Sequence, residues 1–203
     1  MIIGIIVEGQ EESQSLAHIT AKIIIEGVTI LKPLYASIQP KAAPGQIARS
    51  LVSGLKIRGT ADLILVLIDL EDLDNCPGER AKVLEEAVGR MGYDNVRVVI
   101  KNRKFENWLI ADCDALQQLA NFSLSQAFIR KVKGKADNVT DAVGLLSSIK
   151  NDKRSFHKTQ DGTAVARKAN PDTIALHSRS FRRFLRLLTH PTYSTQSKKA
   201  VPV

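Results

Sequence analysis

The chain has 203 residues, 44% hydrophobic and 25% charged, enough for one soluble domain with a real core or a domain with an appendage. No apolar run approaches the roughly 20 residues of a membrane span, and no basic segment precedes the N-terminal apolar residues, which excludes a signal peptide and a membrane as partner. Two cysteines, Cys76 and Cys113, cannot build a disulfide framework or a four-ligand zinc site, so they read as free thiols of a reducing cytoplasm.

Ile2–Val7 is apolar nearly throughout, the pattern of a strand buried on both faces. Leu16, Ile19, Ile23 and Ile24 recur at helical spacing, predicting a helix over 11–26 closed by Gly27. Val28–Ile38 reads as a second strand, interrupted or bent at Pro33, and Gln46–Ile57 as a helix with Ile47, Leu51, Val52 and Leu55 on one stripe. Leu63–Ile68, the most hydrophobic run, is short enough to be a central strand. Pro77-Gly78 opens a helix over Glu79–Met91 ended by Gly92, and Val96–Ile100 makes a fourth strand. Strands alternating with helices of this length predict right-handed crossovers and a mainly parallel four-stranded sheet flanked by helices.

Beyond Lys101 the pattern weakens. "FENWLIADCDALQQL" is predicted helical with Trp108 in the core, and Asn138–Asp141 caps a helix running to Ile149. "NDKRSFHKTQDG" reads as a polar, basic loop. Pro171 starts a helical segment, and "SRSFRRFLRLL" places Phe181, Phe184, Leu185 and Leu188 on one face with Arg182, Arg183 and Arg186 outside. His18 reads as a helix-surface residue; no histidine has metal-ligand spacing.

Charge divides the chain. Residues 1–100 hold 10 Lys/Arg against 13 Asp/Glu, and residues 101–203 hold 19 against 8. The organisation expected is an α/β core over 1–112 and a basic, mainly helical region over 113–203 packing on it. An acidic half joined to a basic half fits a carboxylate site beside a polyanion-binding surface, with Arg179, Arg182 and Arg183 as candidate nucleic-acid contacts; the alternative is a merely solvated basic face.

In a parallel sheet, ligands bind outside the carboxyl ends of the strands. Glu8 ends the first strand, and Asp69 and Glu71 end the third, two residues apart and so on one side of an extended segment. Together they would make a hard, oxygen-rich pocket suited to Mg²⁺ or Mn²⁺; the alternative is a solvated turn with Asp74 or Asn75 capping the next helix. Neither Gly-x-Gly-x-x-Gly nor a Walker-type phosphate loop follows the first strand.

"IIVEGQEE" followed by a helix, then "LILVLIDLEDLD", resembles the Toprim fold, a Rossmann-like domain with a Glu after the first strand and an Asp-x-Asp after the third. "FENWLIAD", "HKTQDGTAVARKANPDTIAL" and "RSFRRFLRLL" look like a small bacterial Toprim-like family of unknown function, related to the OLD-type nucleases and expected beside an ATPase partner in anti-phage loci. The resemblance implies a Mg²⁺-dependent nuclease acting on DNA or RNA. Glu8 would be a metal ligand or general acid/base, and Asp69 a metal ligand. Glu71 stands where the second Asp is expected, with Asp72 a possible substitute, and Glu12 could approach the same ion. Lys158 could stabilise a pentavalent phosphate; Glu106 and Asp112 could line the cleft, or Glu106 could be tied to Arg103 or Lys104. The longer Glu71 also suits a second reading, a non-catalytic Toprim-like subunit that binds nucleic acid or an ATPase.

Overall fold

The structure, a computed structural model, describes residues 1–71 and 76–193. Asp72, Asp74 and Asn75, for which a metal-ligand or capping role is expected, lie outside the described residues. In chain order the elements are β1 (Ile2–Val7), α1 (Gln10–Thr20), β2 (Thr29–Ile30), β3 (Leu34–Tyr35), α2 (Pro44–Ile57), β4 (Leu63–Asp69), α3 (Pro77–Gly89) and β5 (Val96–Lys101). Seven shorter helices follow: α4 (Glu106–Ile110), α5 (Cys113–Gln117), α6 (Gln126–Val132), α7 (Ala142–Ser148), α8 (Gln160–Lys168), α9 (Pro171–His177) and α10 (Arg179–Leu187).

The sheet is parallel throughout, ordered β2-β1-β4-β5, with β3 also on the outer edge of β1. With helices on both faces this is a Rossmann-like α/β fold. The expected second strand is two short ones. Pro33 has no N–H to give the ladder, so pairing lapses between Ile30 and Leu34 and resumes beyond it. The expected first helix also stops early, at Thr20. There the Thr20 hydroxyl bonds the Leu16 and Ala17 carbonyls, and a β-branched run, Ile23-Ile24-Ile25, follows before Gly27 turns the chain at φ +71°. The basic loop ends sooner than its composition suggests, because Gln160–Gly162 already belong to α8.

Strand side chains alternate between two cores. Ile6, Ile64, Val66, Ile68, Val98 and Ile100 face α2 and α3. Ile3, Ile5, Val7, Leu65, Leu67 and Val99 face the other layer, which α1 shares with side chains from residues 105–193. Trp108 is fully buried there, at 4.9 Å from Phe181 and 5.5 Å from Phe184, and its indole N–H donates to Ser180 Oγ at 2.8 Å. This layer thus draws side chains from both ends of the described chain, Ile3 to Tyr193, onto one face of the sheet. No helix among the described residues is long and apolar enough to cross a membrane.

Candidate active site

The period of two that sorts the cores also builds the site. Asp69 follows Leu65 and Leu67 onto the α1 side of the sheet, and Lys101 follows Val99 onto the same side. Asp69 and Lys101 are register partners at the ends of β4 and β5. Glu8 is the first residue past β1, where the chain turns into α1 and the strand alternation no longer holds. Its Oε1 accepts the Asp69 N–H at 2.8 Å. Glu12 comes down from the first turn of α1, whose N-cap is Gly9; a Cβ at Gly9 would stand 3.3 Å from that of Glu12.

The three carboxylates meet around one ammonium. Lys101 Nζ lies 2.6 Å from Glu12 Oε1, 3.0 Å from Asp69 Oδ1 and 3.5 Å from Glu8 Oε1, and its side chain is wholly buried. Burial alone would lower the Lys101 pKa, but Asp69, Glu12 and Glu8 together raise it, so the lysine keeps its charge. The acids are undercompensated. Burial, opposed by Lys101 and reinforced by Asp69 and Glu12, pushes Glu8 up to about 9. Burial against the same lysine pushes Glu12 up to about 7. Glu8 Oε2 is shielded from solvent and makes no hydrogen bond, while Asp69 Oδ1, also shielded, is met by the Lys101 ammonium.

A cleft of about 220 Å³ opens over this cluster. Glu8, Glu12, Asp69, Glu71, Glu106 and Lys158 all line it. Glu106, at the start of α4, is tied neither to Arg103 nor to Lys104; its partner is Lys158 at 3.0 Å, reaching over from the segment before α8. The Lys158 side chain is half exposed, so it stands at the cleft mouth. Burial works against its charge, but Glu106 outweighs that and raises its pKa.

Glu71 reaches the cleft by a different route from the one expected. The extended backbone ends at Asp69, and Glu71 adopts φ +53°, so the two-residue spacing does not align the acids. Its N–H donates to the Arg103 carbonyl at 2.9 Å, and its carboxylate pairs with Lys41 at 3.3 Å.

Other expected residues stand elsewhere. Asp112 is not in the cleft: it caps α5 by accepting the Ala115 N–H at 3.0 Å and accepts the Asn170 N–H at 2.6 Å. Arg182 donates to the Ala175 carbonyl at 2.5 Å, closing the end of α9, so its guanidinium is partly committed to the fold. Arg183 is half-buried, with a terminal nitrogen beside Gly78, and Arg179 is exposed.

The main residue missed from the sequence is Lys101. The signal is a lysine closing the apolar run "VRVVIK" at the carboxyl end of a strand, and a pattern of metal-ligating acids passes over it because an ammonium is no metal ligand.

Among the described residues no group of three or more His, Cys, Asp or Glu is arranged to hold a metal ion by itself. A divalent ion still fits the donor set. Mg²⁺ is ordinarily held by one or two carboxylates with the remaining positions left to water and substrate phosphate, not by an all-protein cage. Glu8 Oε2, buried and without a hydrogen bond, is one such oxygen, and the Asp69 carboxylate, which shares Lys101 with Glu8 and Glu12, could supply a second.

A family model described as "Domain of unknown function (DUF4276)" matches residues 7–189. The chain belongs to that family. No curated protein and no solved structure matches it. The matched region takes in every group of the cleft, from Glu8 to Lys158.

Proposed function

We propose that this member of the DUF4276 family is a Toprim-like, Mg²⁺- or Mn²⁺-dependent phosphodiesterase that cuts DNA or RNA. The observation that carries it is the crowding of Glu8, Glu12 and Asp69 around one ammonium at the carboxyl ends of adjacent parallel strands, with Glu8 Oε2 left without a hydrogen bond. Three carboxylates that share one lysine at that position mark a cation deficit, and the cleft above them is open to a phosphate group. When bound, the ion supplies Lewis-acid stabilisation of charge on the phosphoryl oxygens. Glu8 and Asp69 would hold it. Glu12 and Lys101 fix the orientation of that pair. Lys158, set by Glu106 at the mouth, would meet a non-bridging oxygen of the scissile phosphate and oppose its growing charge. Exposed basic residues of the second half, Arg179 among them, would neutralise neighbouring phosphates. The free thiols suit a reducing cytoplasm.

The test is digestion of DNA and RNA in Mg²⁺ or Mn²⁺ by the whole chain, with Glu8→Ala and Asp69→Ala as controls. Cleavage falling at least about 100-fold in both variants, the scale of losing a group that stabilises transition-state charge, is the expected result. Activity indifferent to both substitutions overturns the assignment.

One observation favours a second reading. Lys101 already neutralises part of the cluster, as a purely structural ion-pair network would. On that reading the chain is a non-catalytic subunit that binds nucleic acid or an ATPase, the partner expected of an anti-phage locus. Absence of cleavage together with tight binding to either partner selects it.

A further inference from the structure

Taking the metal-site reading above as its basis, we infer that Lys101 is a built-in cation that fills one of the positive positions of the cluster, so that the site binds one divalent ion and not two. The buried carboxylates of the cluster are Glu8, Glu12 and Asp69, and the single positive group among them is Lys101. The remaining acids of the cleft have their own partners: Glu106 with Lys158 and Glu71 with Lys41. Glu11 is exposed to solvent. In their ionised, ion-binding form the three carboxylates and the one ammonium carry a net charge of −2, which one Mg²⁺ or Mn²⁺ neutralises. A pair of divalent ions, the arrangement of many phosphoryl-transfer enzymes, would bring twice that charge and would have to share the carboxylates with an ammonium already there.

Geometry says where the lysine stands. Its ammonium approaches Glu12 Oε1, Asp69 Oδ1 and Glu8 Oε1, on the side of the cluster nearest α1 and β5. The second oxygen of Glu8 is left over. That side chain is 10% exposed and lines the cleft, and its Oε2 makes no hydrogen bond. A buried polar oxygen is ordinarily paired. One unpaired carboxylate oxygen on a side chain that lines the cleft, beside a lysine already bonded to its neighbours, is a place for one ion on the cleft side. Lys101 is thereby a positioning residue: it keeps three like-charged carboxylates within reach of each other before the ion arrives.

Titration with Mn²⁺, followed by calorimetry and by the electron paramagnetic resonance of free Mn²⁺, reads the stoichiometry without any cleavage assay. The full chain should bind one ion, and Lys101→Met should bind two, because the vacated position restores the second site. Two ions on the unaltered chain, or none, overturn the inference, as does an unchanged count of one in a folded Lys101→Met. Should Lys101→Met fail to fold, Glu12→Gln serves: with one charge fewer it should keep a single ion and bind it at least tenfold more weakly. An unchanged affinity there overturns the inference as well. A chain that binds one ion as stated but cuts nothing removes the nuclease assignment and leaves the lysine's role standing. A chain that cuts with two bound ions does the reverse.

Discussion

Two kinds of buried carboxylate occur in this protein, and the difference lies in who satisfies them. Asp137 sits under α10 with both oxygens bonded: Oδ1 accepts from the Ser178 and Ser180 hydroxyls at 2.7 and 3.0 Å, and Oδ2 accepts the Ser180 N–H at 2.7 Å. Asp161 likewise accepts from Lys150, the His157 N–H and Asn121. These acids are spoken for by the chain. Glu8 and Asp69, at 10% and 15% exposed, share a single lysine with Glu12, and Glu8 Oε2 has no hydrogen bond. A fold that satisfies acids so fully elsewhere leaves these two short at the strand ends. Burial alone therefore does not separate structure from function here; completeness of hydrogen bonding does.

The largest effect expected is on the satisfied side. Asp137→Ala strands two hydroxyls and an N–H in the core beneath Trp108, whose indole N–H is bonded to Ser180. Loss of charge-assisted bonds with their partners left buried costs about 3 kcal/mol. Thermal unfolding should fall by roughly 6–12 °C in a chain of this size. Mn²⁺ affinity should be unchanged in the folded fraction. A loss of ion binding in Asp137→Ala with no loss of stability would erase the distinction.

On the unsatisfied side the sign should invert. Glu8→Gln keeps an oxygen for the Asp69 N–H and removes an acid that must take up a proton to be buried near neutral pH. Without metal it should gain about 1–2 kcal/mol, the usual scale on which active sites hold stability below its optimum. The pH dependence follows from the same groups. Glu8 at about 9 and Glu12 at about 7 both lie above their unfolded value of 4.5. Between those limits the folded state binds more protons than the unfolded one, so stability is greatest below about 4.5 as far as these groups go. It declines as pH rises through 7 and on towards 9. Melting temperature in a chelator should show that decline, Glu8→Gln should flatten its upper part, and Mg²⁺ should reduce it by supplying the missing charge. A profile that rises over the same range contradicts the cation deficit.

Much of the fold and part of the site could be read from residue order. The apolar runs of β1, β4 and β5 and the turn signals between them were sufficient for a parallel sheet, because strands buried on both faces have no polar alternation to obscure them. Glu8 and Asp69 followed from the rule that ligands bind at the carboxyl ends of such strands. The rest depended on long-range packing. Lys101 is an ordinary strand-terminal lysine until register sets it beside Asp69, 32 positions earlier. Asp112 looks like a cleft acid in "FENWLIAD" and is a helix cap, since its second oxygen meets Asn170, far along the chain. Glu71 escaped for a local reason: one residue at positive φ ends the two-residue period, and only backbone geometry shows it.

The smallest effect separates two lysine–acid pairs of similar length. Lys150 lies 2.7 Å from Asp161 with both side chains buried, 7% and 8% exposed. Lys158 lies 3.0 Å from Glu106 with its own side chain 50% exposed. The first is closed to any ligand; the second presents an ammonium to whatever enters the cleft. Lys158→Ala should leave thermal stability nearly unchanged, because a half-solvated pair contributes little. It should weaken duplex DNA binding several-fold and uniformly across sequences. The log–log salt slope should shrink by roughly 0.9, the contribution of one neutralised phosphate. Lys150→Ala should do the opposite, lowering the melting temperature with no change of slope, since its loss leaves Asp161 buried and short of a charge partner. An unaltered slope in Lys158→Ala would place the nucleic-acid path away from the cleft and restrict the phosphate contacts to the basic surface alone.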